Sequence, residues 1–314
     1  MLKFYQLYNN TFSETKDLEE NCFINLHNPS SEETDFVSDL IDIPNSIIIR
    51  MLDPEERSRI DVRDNYILGV INMAFSVKDN LMDVAPIGII ICKNYFVCIS
   101  TKAIDPIGLF DKIDNKSSLL GNKINLFISL FYVVSRSYVS YTRTIIKKFE
   151  VLEERLIESN NNIDMLEALK LQKTLTFFSM ALYSNDLVIN RIINLQNKKQ
   201  DNLLDFANIN DELLDDAYTE NKQAIEMVDT YSKIIIDLMN TIASIVANNQ
   251  NNFLKLLTNI TILLTIPMIL AGLWGMNVKI PFEGESSGFW IVIGLSLGLM
   301  VLSLYYLWKK NLLK

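Results

Sequence analysis

Two stretches near the C-terminus carry no charged side chain, residues 256–278 and residues 286–308, each 23 residues long. At ~1.5 Å of rise per residue, a helix of that length crosses roughly 30 Å of hydrocarbon. The pair therefore predicts two transmembrane helices at the end of the chain. The preceding residues form a different population. Setting aside the four Lys and two Glu beyond residue 255 leaves 25 basic against 36 acidic residues, a net charge of −11. The whole-chain value of −9 and the 49% apolar content average over an acidic, water-soluble body and an uncharged helix pair.

This composition excludes several functions. A body of net −11 is a poor nucleic-acid binder, because phosphate contacts need clustered Lys and Arg. The three cysteines, Cys22, Cys92 and Cys98, cannot all pair and lack the C-x-x-C spacing of a zinc site. They read as packing residues in a reducing compartment. His27 is the single histidine, so a His-rich metal site or a His-dependent triad within one chain is not available. Gly69, Gly88, Gly108 and Gly121 are isolated and the other six glycines lie at or beyond Gly272, so no glycine loop cradles a nucleotide phosphate. No nucleophile-and-base constellation appears, and no enzyme is expected. The opening Met1-Leu2-Lys3-Phe4-Tyr5 lacks the apolar core of a signal peptide.

The first hundred residues read as a small α/β domain. Strands are expected at 2–8, 22–26, 46–51, 59–62, 66–75, 87–92 and 95–100, the last two forming a hairpin through Lys93-Asn94. Pro29-Ser30-Ser31-Glu32-Glu33 ahead of residues 36–41 is a helix start, with serine at the cap and acids in the first turn. After Asp105-Pro106 the character changes. Residues 122–266 contain neither Pro nor Gly, which predicts long helices with short polar breaks at 159–162 and 196–210. Helices are expected near 117–158 and 164–195, pairing antiparallel. A third begins near Asp211 and, with Ile235, Leu238, Ile242 and Ile245 in 3–4 spacing, forms a packing stripe. If it continues to Trp274 it has 64 residues, or ~96 Å at ~1.5 Å per residue. Lys309, Lys310 and Lys314 follow the second apolar segment. By the positive-inside tendency they stay cytoplasmic, as does the N-terminal body, with the intervening loop outside.

The first apolar segment ends Ala271-Gly272-Leu273-Trp274-Gly275-Met276-Asn277. A Gly-Met-Asn tripeptide closing the first of two terminal membrane helices resembles the CorA family of Mg²⁺ channels within the metal ion transporter superfamily. Leu52-Asp53-Pro54-Glu55-Glu56-Arg57-Ser58-Arg59 resembles the family's acidic turn before a strand. Glu220-Asn221-Lys222-Gln223-Ala224-Ile225-Glu226 resembles its stalk, and Leu257-Thr258, Thr261-Ile262 and Pro267 its first membrane helix. The resemblance implies an α+β membrane protein assembled as a funnel-shaped homopentamer in the cell membrane. Its parts are a cytoplasmic α/β domain over 1–105, a helical hairpin region over 106–210 and a stalk over 211–255. The pore helix follows over 256–277, then an extracellular loop over 278–287, a second membrane helix over 288–308 and a cytoplasmic tail over 309–314. Divalent cations, lipid and further copies of the chain are the expected partners, and neither nucleic acid nor nucleotide is.

The resemblance also implies roles for residues. Gly275, Met276 and Asn277 form a selectivity filter in which five amides hydrogen-bond the waters of hydrated Mg²⁺, an ion that sheds its shell reluctantly. A helix C-cap is the alternative reading of Asn277. Asn251, Leu254, Leu257, Thr261, Thr265 and Met268 line the pore, the leucines and methionine as apolar constrictions that close by excluding water. Asp105 and Asp216 hold a regulatory Mg²⁺ between protomers, with Asp215 as an adjacent candidate; solvated surface acids are the alternative. Gly294 and Gly298 permit close helix approach. Trp274, Val278, Asn240 and the loop Ile280-Pro281-Phe282-Glu283 depart from the family pattern. A Zn²⁺ or other transition-metal transporter of the same superfamily, and a membrane-tethered helical sensor that conducts nothing, are the competing expectations.

Overall fold

A computed structural model describes residues 1–8, 11–15, 22–76, 82–101, 106–112, 122–158, 162–197, 208–276 and 286–310. The chain divides into two compact units, Met1–Leu238 and Met239–Lys314, each described here by itself.

The first unit is built on a seven-stranded sheet of order β2-β1-β3-β7-β6-β5-β4. The strands are β1 (Leu2–Tyr8), β2 (Thr11–Thr15), β3 (Cys22–His27), β4 (Arg59–Val62), β5 (Tyr66–Ser76), β6 (Met82–Cys92) and β7 (Tyr95–Ser100). Only β3 and β7 pair in parallel; every other neighbouring pair is antiparallel. The central strands are covered on both faces, which is why Ile87, Ile89, Ile90 and Ile91 form a nearly unbroken apolar run. Cys22, Cys92 and Cys98 are all buried within this sheet.

On one face, α1 (Ser31–Ile41) and α2 (Asn45–Met51) close a core of Ile24, Leu26, Val37, Ile48, Met51, Val70, Ile90 and Val97. Helix α1 starts as its sequence signals. The Ser30 hydroxyl accepts from the Glu33 amide at 3.3 Å, and the Glu33 carboxylate accepts from the Ser30 amide at 2.8 Å, a reciprocal capping box. Helix α2 corrects the strand expected over 46–51. Ile48 and Met51, three residues apart, are buried while Ile49 is 56% exposed. That is helical spacing, and packing on β6 and β7 overrides the β-propensity of the Ile47-Ile48-Ile49 run. Strand β2 was not expected at all; it is a polar edge strand, whose sequence carries little apolar signal. Strand β6 extends five residues before the expected start. Pro86 lies inside it without cost to the β7 ladder, because β7 ends at Ser100 opposite Ile87.

The other face receives the helical hairpin α4 (Lys123–Glu158) and α5 (Asn162–Asn197), which follow the short α3 (Ile107–Phe110). Gly69 and Gly88 set the closeness of both layers. A Cβ at Gly69 would stand 2.9 Å from the Phe127 ring of α4, and one at Gly88 would stand 2.8 Å from Met51 Cβ of α2. Then comes α6 (Asp211–Trp274), 64 residues long as the absence of breakers predicts, followed by α7 (Ser286–Lys309).

Candidate ion pathway

Helix α6 is launched by polar contacts. The Asn210 side chain accepts from the Leu213 amide at 3.2 Å, and Asp211 and Glu212 occupy the first turn, where the positive end of the helix dipole favours them. Asn125 of α4 accepts from the Asn210 amide at 3.0 Å and so ties this start to the hairpin. Leu214, Ala217, Asn221, Ala224, Ile225 and Val228 are buried, a single face in 3–4 spacing. Of the further stripe expected from sequence, Ile235 and Ile242 are buried, Leu238 is half-buried and Ile245 is exposed.

In the second unit, α6 and α7 are both long and apolar enough to cross a membrane, and only 6% and 11% of their apolar windows are buried. Each therefore presents its side chains outward and needs lipid or further chains to cover them. Leu254, Leu257 and Met268 are 57%, 51% and 69% exposed; Asn251 and Thr261 are exposed and Thr265 is half-buried. The sequence-derived pore residues thus share one open helix face. The Thr261 hydroxyl donates to the Leu257 carbonyl at 2.8 Å and the Thr265 hydroxyl to the Thr261 carbonyl at 2.7 Å. With their protons committed to the backbone, both oxygens offer only lone pairs to what lies alongside. Pro267, inside the helix, has no amide to donate to the Leu263 carbonyl.

The helix closes at Trp274. The Gly275 amide donates to the Ala271 carbonyl at 2.9 Å and the Met276 amide to the Leu273 carbonyl at 3.4 Å. A Cβ at Gly275 would come within 3.2 Å of the Ala271 carbonyl oxygen, so glycine keeps this turn open. A groove of about 600 Å³ beside it is lined by Pro267, Ala271, Trp274, Gly275, Gly288 and Phe289, among others. The buried Trp274 indole nitrogen has no hydrogen-bond partner. Asn277, expected from the sequence to supply the filter amide, lies outside the described residues, as does Asp105, expected to hold a regulatory ion.

Asp216 and Asp215 are both exposed on α6. Among the described residues, no group of three or more His, Cys, Asp or Glu side chains converges to hold a metal ion within one chain. Sequence reasoning missed a seam of polar contacts along α5 and α6. Lys222 donates to Asp186 at 2.9 Å, and Ser179 and Tyr183 donate to Asp229 at 2.8 Å and 2.7 Å. That hydrogen bond and the Asp229 charge raise the Tyr183 phenol above its usual range, and the bond to Asp186 raises Lys222. The sequence signal was available in the polar residues facing each other at helical spacing, but the pairing of the two helices was needed to read it.

The family model for the CorA-like Mg²⁺ transporter protein matches residues 19–310. The cobalt/magnesium transport protein CorA of Methanocaldococcus jannaschii is 25% identical over 289 residues, covering 90% of this chain and 88% of that protein. Among solved structures, the complete CorA magnesium transporter of the same organism superposes with a TM-score of 0.79 at 22% identity, covering 98% of this chain and 96% of that one. The full-length CmaX protein gives 0.71 at 14% identity, covering 99% and 96%. The ZntB cytoplasmic domain from Vibrio parahaemolyticus gives 0.59 at 11% identity, covering 78% and 98%. These structural likenesses establish the fold, and the family match over nearly the whole length places the chain in the CorA-like Mg²⁺ transporter family, a family of transporters and not of enzymes.

Proposed function

We propose that this protein is a divalent-cation channel in which copies of α6 surround an axial pore, five to a ring, and carry Mg²⁺ into the cell down the membrane potential. Co²⁺ and Ni²⁺ are further cargo. The carrying observation is the uncharged, outward-facing row of α6 that runs from Asn251 to Met268 and leads to Gly275 and Met276. The printed cargo of the M. jannaschii relative, cobalt and magnesium, supports the choice of ion.

The chemistry follows from the water shell. Hydrated Mg²⁺ presents water hydrogens outward, so a pore that passes it intact needs acceptors rather than anions. Asn277 amide oxygens, the Gly275 carbonyl and the back-bonded hydroxyls of Thr261 and Thr265 supply them. Asn251 contributes a second amide ring at the cytoplasmic end. Leu254, Leu257 and Met268 form constrictions that stop conduction by excluding water. Two charges crossing the membrane gain ~4.6 kcal/mol per 100 mV, so inward flow needs no chemical energy source. Residues 256–277 and 288–308 span the bilayer, the 278–287 loop faces outward, and both termini are cytoplasmic, in agreement with Lys309, Lys310 and Lys314.

Regulation rests on carboxylates. Asp216 of one protomer and Asp105 of its neighbour hold a cytoplasmic Mg²⁺ that clamps the closed ring; losing it releases their repulsion and frees the interface.

The test is ion flux into liposomes holding the purified protein, with Mg²⁺, Co²⁺, Ni²⁺ and Zn²⁺ compared and Asn277→Ala alongside. Potential-driven Mg²⁺ entry that the variant loses supports the channel. Zn²⁺ flux following a pH gradient without Mg²⁺ flux would assign a transition-metal transporter instead, and no flux at all would leave a tethered sensor.

A further inference from the structure

Outside the pathway, the first unit carries a second concave site. A hollow of about 420 Å³ lies between α4 and α6, bordered by Tyr132, Arg136, Ser140, Arg143, Glu220 and Gln223. Arg136 rests over the Tyr132 ring with its guanidinium 5.8 Å from the centroid. Among the described residues, neither Arg136 nor Arg143 forms an ion pair, and Glu220 forms none with them. Two guanidiniums against one carboxylate leave the hollow positive, on a body whose net charge is −11. Arginine forks are strong carboxylate receptors, and Arg136 and Arg143 both stand exposed, open to a carboxylate from outside the chain.

We infer that this hollow receives the acidic face of α6 from a second copy, with Asp215 and Glu226 of the neighbour paired to Arg136 and Arg143. The inference rests on the ring assembly proposed above. The occupant follows from charge and from angle. Helix α6 buries the face that includes Leu214, Ala217, Asn221 and Val228. The exposed side opposite carries Glu212, Asp215 and Glu226. Lys222, the one basic residue among them, is committed to Asp186 of its own chain at 2.9 Å. At ~100° per residue, Asp215 and Glu226 lie roughly 100° around the helix from Glu220 and Gln223, which border the hollow. A closed ring of five copies needs two contact faces about 110° apart on its inner helix, one giving and one receiving. The acidic face and the hollow have that relation.

Asp216 lies one turn before Glu220 on the hollow's side of α6. The arginine–carboxylate pairs therefore adjoin the carboxylate proposed to bind Mg²⁺, and hold protomers together whether or not the metal is bound. Asp215 is thereby assigned to the fixed pairing and Asp216 to the exchangeable ion.

Charge reversal tests this in the full-length protein in detergent, with mass read by light scattering and native mass spectrometry at low and high salt. Arg136→Glu with Arg143→Glu, and separately Asp215→Arg with Glu226→Arg, should each lower the pentamer fraction at least tenfold. Combining all four should restore it to within twofold, which also excludes misfolding as the cause of loss. A pentameric parent with both double variants assembling normally, or with no rescue in the fourfold variant, overturns the pairing alone. A parent that is not pentameric overturns the ring assembly and the pairing with it.

Discussion

The Asn185 carboxamide completes the backbone of Asn72 as a neighbouring strand would. Its Oδ1 accepts from the Asn72 amide at 2.8 Å, and its Nδ2 donates to the Asn72 carbonyl at 2.8 Å. Strand β4 stops at Arg59 opposite Val70, so the side of β5 beyond that point has no strand to pair with. A side chain from α5 takes over the ladder, and Ser58 and Tyr138 join it, the Ser58 hydroxyl donating to Asn185 at 2.7 Å and the Tyr138 hydroxyl to the Asn72 carbonyl at 3.1 Å. Asn185 is fully buried.

Asn185→Leu should therefore cost far more than its volume suggests. It leaves the buried Asn72 amide and the Ser58 hydroxyl proton without acceptors, while the Asn72 carbonyl keeps Tyr138; at about 1–3 kcal/mol for each orphaned group, a loss of roughly 2 kcal/mol or more is expected. Thermal and denaturant melts of the full-length protein in detergent measure it. A loss under about 0.5 kcal/mol, the range of neutral surface changes, contradicts the ladder role.

Gly69→Ala should lower stability by about 1–3 kcal/mol, because the new methyl meets the Phe127 ring and that ring sits in a close-packed layer. Phe127→Leu in the same chain should recover part of the loss. A double-mutant cycle reads the coupling, and strictly additive effects would show that the contact is not the cause.

Removing the hydroxyls at Thr261 and Thr265 while keeping their shape tests the acceptor row. Thr261→Val with Thr265→Val should reduce Mg²⁺ flux by about tenfold or more, since each lost hydrogen bond to the hydrated ion is worth ~1 kcal/mol. Leu257→Asn should act oppositely and raise flux in the closed condition by wetting a constriction. Fluorescent Mg²⁺ entry into liposomes resolves both.

Asp105→Ala with Asp216→Ala should leave channels open at millimolar internal Mg²⁺, where the parent is inhibited. Unchanged inhibition in that double variant assigns the sensor elsewhere.

The raised Tyr183 phenol gives a pH signature. Its folded-state proton affinity exceeds the unfolded one, so the stabilising contribution is present below the ordinary tyrosine value of ~10 and is lost as pH rises through the folded value. Asp229→Asn should lower the Tyr183 transition toward ~10. Ultraviolet phenolate titration, with Tyr183→Phe subtracted, follows that one group.

Much of the architecture was legible from residue order because it depends on local physics. Two uncharged 23-residue stretches and a 145-residue span without Pro or Gly specify long helices whatever surrounds them. The strands at β1, β4 and β7 likewise carry their own apolar signal. The shared face from Asn251 to Met268 was legible as spacing on one helix, and the likeness of residues 271–277 to a known family is what suggests the pore proposed for it.

Only the tertiary structure decided the rest. Helix α2 is a helix because the sheet buries Ile48 and Met51 together, a choice its isoleucines alone oppose. Asn185 closes a strand that lies 113 residues away in sequence, and Arg136 and Arg143 share a hollow with Glu220 only because α4 and α6 are packed side by side. Such contacts join residues across the fold, and no periodicity within one segment encodes them. The uncharged helices were determined by the sequence itself, since the cost of burying charge in a bilayer is paid residue by residue; the neighbours of each polar side chain were decided by folding.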